Sequence, residues 1–141
     1  MRKQIGIFPA LALVAALNSA ACKRAPGPEA KQLAVGWRPL GSWSGRGDAQ
    51  TDSFDSESGQ WRIKWETRNA APSGPATFRV TVHSAVSGRP LAVAVDHDGA
   101  GHGIAYVNED PRLFHLVIAS RGLDWTVSVE EAVVGTIRAD P

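Results

Sequence analysis

The segment Gln60-Trp61-Arg62-Ile63-Lys64-Trp65-Glu66-Thr67 decides the fold. Trp61, Ile63 and Trp65 alternate with Arg62, Lys64 and Glu66, a period of two. Successive side chains of a strand point to opposite faces, so this segment carries one apolar and one charged face. The same rhythm recurs at Phe78, Val80 and Val82, at Phe114, Leu116 and Ile118, and at Trp125, Val127 and Val129. Turn signals separate these runs: Ser58-Gly59, Asn69 to Pro75, Ser87-Gly88, Asp98 to Gly101, Asp110-Pro111 and Arg121-Gly122. Short alternating runs divided by such turns predict an all-β, antiparallel sandwich, jelly-roll-like, of seven or eight strands. The strands are expected near 40–47, 51–55, 60–67, 76–84, 90–96, 103–108, 112–119 and 124–132. The weakest is the first, because Gly45 and Gly47 interrupt it.

Composition agrees with a turn-rich domain. The chain has 141 residues, of which 14 are Gly and 9 Pro, above the ordinary combined share of about 12%. Its ends differ in character. Arg2 and Lys3 precede the uncharged, Ala- and Leu-rich span Ile5 to Leu17, and Ser19-Ala20-Ala21 then lead into Cys22. A charged start, an apolar stretch of this length and small residues before a cleavage point make a secretory signal peptide. The apolar span is shorter than the roughly 20 residues that cross a bilayer. Removing residues 1–21 takes two basic residues and no acidic one, so the formal charge moves from +1 to −1. That balance offers no concentrated basic face and no nucleic-acid partner is expected.

Cys22 is the only cysteine, which excludes an internal disulfide and is unusual for an exported protein. Ser19-Ala20-Ala21-Cys22 resembles the lipid-modification box of bacterial lipoproteins. It departs from that family at Ser19, where an aliphatic residue is usual, so ordinary cleavage after Ala21 stays open. The resemblance implies a lipidated Cys22 and an anchor in the cell envelope. With Lys23 rather than Asp after the cysteine, it further implies the outer membrane, facing the periplasm. The alternative is a soluble periplasmic or secreted protein. The expected organisation is a signal peptide at 1–21, a tether at 22–36 marked by Pro26-Gly27-Pro28, and the sandwich at 37–141.

Asp96-His97-Asp98-Gly99, Leu113 to Ile118 and Leu123 to Glu130 together resemble small β-sandwich domains of exported bacterial proteins. Those domains are mostly accessory modules, so the resemblance implies a binding or accessory role without naming a ligand.

Three groups of side chains are candidates for chemistry. Asp96, His97, Asp98 and His102 form the densest set of metal-capable residues, although the distal ligands of a calcium loop or a zinc site are missing. Trp37 and Trp43 lie in less regular sequence and are candidates for stacking on a sugar or a partner. The acidic run Asp48, Asp52, Asp55 and Glu57 reads as a solvated loop around Phe54. His83 and His115 fall on outward faces and become neighbours if their strands pair. No Gly-x-Ser-x-Gly, His-Glu-x-x-His or phosphate-binding loop occurs. The expected function is therefore a non-catalytic envelope lipoprotein that needs no cofactor and binds an envelope protein or a glycan. A carbohydrate- or calcium-assisted binding module is the alternative, and a small envelope hydrolase ranks third.

Overall fold

The computed structural model describes residues 32–137, and Cys22 lies outside them. Nine strands follow one another: β1 (Gln32–Arg46), β2 (Ala49–Gln50), β3 (Phe54–Ser56), β4 (Gln60–Arg68), β5 (Thr77–Ser84), β6 (Pro90–Asp98), β7 (Gly101–Asn108), β8 (Arg112–Arg121) and β9 (Asp124–Ile137). They form two sheets, a four-stranded one ordered β1-β9-β4-β7 and a five-stranded one ordered β2-β8-β5-β6, with β3 also on β8. Every recorded strand pairing is antiparallel. The expected all-β sandwich is what the chain forms.

The strands are nine rather than seven or eight because a two-residue strand, β2, precedes the segment expected at 51–55, of which only Phe54 and Asp55 fall in β3. Between β2 and β3 the chain leaves the ladder, and Thr51 bridges the gap. Its N–H donates to the Leu116 carbonyl at 3.0 Å, and its Oγ1 accepts the Leu116 N–H at 2.9 Å. A second difference concerns β1, which starts at Gln32 and takes in residues 32–36 of the stretch assigned to the tether. The reason lies at the other end of the chain. β9 runs on to Ile137 and offers partners to Ala34 and Gly36 through Gly135 and Val133.

The inward faces meet in a core of Trp61, Ile63, Phe78, Val80, Val82, Phe114, Leu116, Ile118, Leu123, Trp125, Val127 and Val129, all at most 3% exposed. Phe54, Trp61 and Phe114 pack as an aromatic cluster, with ring centroids 5.0 to 6.1 Å apart. Aromatic pairs in this range add about 0.5–1.5 kcal/mol each beyond their buried area.

The glycines of β1 and β7 have a packing reason. The Trp43 ring lies against Gly41, and a Cβ on Gly45 or Gly103 would stand 2.9 Å from the rings of Trp125 or Trp65. Those indoles occupy space that any larger residue would need. Thus Gly45, which weakens the strand as a sequence, secures it as a packed element.

Candidate functional site

The outer face of the four-stranded sheet is built from rows fixed by register. Trp37 of β1 stands opposite Ala132 of β9. One row along, Glu130 of β9, Arg62 of β4 and Tyr106 of β7 lie side by side. Arg62 Nε donates to Glu130 Oε2 at 2.7 Å, and Lys64 Nζ lies 3.7 Å from Oε1. Both side chains of the Arg62–Glu130 pair are only 18% exposed, although they stand on a face turned to solvent. Trp37 is the cover. Because Ala132 is small, the indole lies across the sheet until its ring centroid is 3.9 Å from the Arg62 guanidinium.

The guanidinium therefore stands against one side of the indole, which stays partly exposed. A cation beneath the ring is worth about 0.5–2 kcal/mol, depending on how far it is desolvated, and it fixes the ring's orientation. Tyr106, 70% exposed, stands 6.2 Å away at 54° and makes a second wall. The resulting concavity of about 380 Å³ is lined by Val35, Trp37, Gln60, Tyr106, Asn108 and Ala132. Gln60 and Asn108 are register partners, so their exposed amides sit side by side at one rim.

Trp43 does not join Trp37. The two residues are an even number of positions apart, which in a regular strand would put them on one face. A register shift between Pro39 and Gly41 reverses the phase. Trp43 consequently faces the core, 5.9 Å from Phe54. Tyr106 was missed by sequence reasoning; its signal was the outward phase of the strand through Ile104, Tyr106 and Asn108.

Asp96, His97, Asp98 and His102 are not gathered into one site. Asp96 is on the outer face of the five-stranded sheet, paired with Arg79 at 3.0 Å. His97 turns the other way and packs on Trp65 at 4.9 Å. Asp98 is exposed at the end of β6, opposite Thr77. His102 belongs to the other sheet, opposite Glu66. The segment is two strand ends joined by a crossing between sheets, so alternation scatters residues that a loop would have clustered. Among the described residues, no three His, Cys, Asp or Glu side chains come together to hold a metal. The acidic run is dispersed too. Asp48 Oδ1 accepts the Ser120 N–H at 2.9 Å, and Glu57 lies 3.9 Å from Arg38.

Two ionisable features went unpredicted in their details. Glu131 points inward on β9 and is 1% exposed. Burial pushes its carboxyl up, but the Ser58 N–H at 2.7 Å, the Arg38 guanidinium and the Ser56 hydroxyl at 3.1 Å outweigh that and hold it at about 2. This carboxylate ties β1, β9 and the turn before β4 together, which is a structural task. Its inward phase follows Trp125, Val127 and Val129, and that was the legible signal. His83 and His115 do meet, as β5 and β8 pair with these residues directly opposite. His115 stands on the outward face as expected but is buried there, and burial and then the neighbouring His83 lower its pKa.

No protein-family model matches the chain, and a search of curated proteins finds no match either.

Proposed function

We propose that the protein is a non-catalytic lipoprotein of the cell envelope, anchored through Cys22, whose sandwich domain binds a neutral glycan on its four-stranded sheet. The observation that carries this reading is the partly exposed indole of Trp37, seated on the Arg62–Glu130 pair beside exposed Tyr106. Sugar rings offer an apolar C–H face to an aromatic plane, while their hydroxyls need donors and acceptors, which the Gln60 and Asn108 amides supply. The side chains that line the concavity carry no charge, which favours an uncharged sugar over an acidic one.

A non-catalytic role has its own support. The most perturbed carboxylate, Glu131, is fastened by Arg38 and two serines, and His83 faces another imidazole rather than an acid. The anchor reading rests on Ser19-Ala20-Ala21-Cys22 and the apolar span before it. Lys23 rather than Asp after the cysteine supports an outer-membrane location facing the periplasm.

Two experiments test the proposal. Intact mass of the membrane-extracted protein should show loss of residues 1–21 and acyl chains on Cys22; an unmodified chain in the soluble fraction would refute the anchor. A glycan array followed by calorimetry should find a neutral oligosaccharide whose binding is abolished by Trp37→Ala and preserved by Trp43→Phe. Binding that survives Trp37→Ala would overturn the assigned face.

A second reading has one observation in its favour. Leu33, Val35 and Val134, at 75%, 63% and 69% exposed, extend the aromatic surface towards the start of β1. An envelope protein covering that whole strip would use the same face.

A further inference from the structure

The five-stranded sheet carries a different arrangement on its outer face. His83 of β5 and His115 of β8 stand directly across the antiparallel ladder from one another. Their rings are 5.1 Å apart between centroids, with planes only 22° from parallel. Side chains opposite each other on paired strands are the nearest neighbours a sheet provides, and here both are nitrogen donors.

The hairpin between β5 and β6 acts on one of them. His83 Nδ1 lies 3.1 Å from the carbonyl oxygen of Gly88. A carbonyl only accepts, so Nδ1 carries the proton and the lone pair is left on Nε2. Metal-ligating histidines are commonly prepared in this way, one ring nitrogen tied to an acceptor and the other turned to the metal. His115 is the complementary partner. Its ring faces His83 from directly across the ladder, so each strand brings one imidazole to the same spot.

We propose that His83 and His115 form a two-histidine binding site for a late-transition-metal dication of the Cu2+ or Zn2+ class. The donor set selects the class. Two imidazoles without a carboxylate suit Cu2+, Zn2+ and Ni2+, and give nothing to Ca2+ or Mg2+, which require oxygen ligands. Among the described residues no third His, Cys, Asp or Glu completes a cluster with the pair. The protein thus provides two nitrogens, and water or an exogenous ligand fills the other positions, as at sites that keep open coordination. Copper should bind more tightly than zinc, following the general affinity order for nitrogen sites. The site lies on the opposite sheet from Trp37 and is independent of the glycan reading.

The test is a titration of the purified full chain carrying Cys22→Ser, so that the thiol does not compete. Cu2+ and Zn2+ are added separately in calorimetry, and the copper complex is examined by electron paramagnetic resonance. The expected result is one ion per chain with two coordinated nitrogens. His83→Ala and His115→Gln should each weaken binding by about tenfold or more, while His97→Ala and His102→Ala leave it unchanged. Thermal melts without metal check each variant's fold. Should His115→Gln fail to fold, His83→Ala at the partly exposed partner decides the matter. Absence of binding, or binding that tracks His97 or His102, would overturn the proposal.

Discussion

Replacing Glu131 with glutamine removes one charge from the interior while keeping the shape of the side chain. The carboxylate accepts from Ser58 N–H, Ser56 Oγ and Arg38, all donors. A glutamine offers them only one oxygen, and its own NH2 is turned against a remaining donor. The magnitude follows from the acidity of the group. Its ordinary value of 4.5 falls to about 2 in the folded protein, and at 1.36 kcal/mol per unit this corresponds to about 3 kcal/mol of stabilisation. Because the folded value is the lower one, that stabilisation is complete above about pH 4.5. It declines as the pH falls from 4.5 and is gone once the pH drops below about 2. Urea denaturation of parent and Glu131→Gln at pH 7 should therefore differ by about 2–4 kcal/mol. In a domain of this size that is a fall in melting temperature of roughly 12–24 °C. The gap should narrow steadily when the same pair is compared at pH 4, 3 and 2. A neutral-pH loss under about 1 kcal/mol, or an acid limb of equal steepness in both proteins, would refute the reasoning.

Other substitutions probe separate parts of the structure. Thr51→Val leaves the Leu116 N–H without its 2.9 Å acceptor, at a cost of about 1–3 kcal/mol by denaturant titration. Gly45→Val sets a side chain into the Trp125 ring; overpacking should cost about 1–3 kcal/mol and shift the tryptophan near-ultraviolet dichroism. Trp37→Ala should change stability by no more than about 2 kcal/mol, since it forfeits one cation–π contact, and a larger loss would mean that the indole is a core residue. Pairing Trp37→Ala with Arg62→Met in a double-mutant cycle should return that same coupling, measured by urea titration.

How much of this was legible depended on whether strand phase could be followed without interruption. From Trp61 to Glu66 and from Trp125 to Glu130 the alternation is unbroken, and the inward and outward faces fall where it puts them. It also put His83 and His115 on outward faces, where they meet once β5 and β8 pair. Trp43 was grouped with Trp37 because both lie in less regular sequence, and the register shift near Pro39 that turns Trp43 to the core leaves no compositional mark. The Asp96–His102 segment looked like a dense loop because proximity in sequence was read as proximity in space. β6 pairs with the adjacent β5, whereas β7 pairs with β4, more than thirty residues back, and that long-range partner carries it into the other sheet. Tyr106 became part of a site only when Trp37 crossed Ala132 and two intervening strands to reach it. Cross-strand adjacency of that kind is invisible to periodicity.

The position of β9 constrains the order in which the domain can be made. It is the last strand among the described residues, yet it lies between the first, β1, and β4. Until its fourteen residues are available, β1 has no neighbour and the four-stranded sheet is split in two. A chain threaded through a membrane from its N-terminus would thus hold its Trp-rich first strand unpaired throughout transit and would settle only after its final segment emerged. Late completion of this kind leaves any product shortened before Asp124 with β1 unpaired and the four-stranded sheet divided.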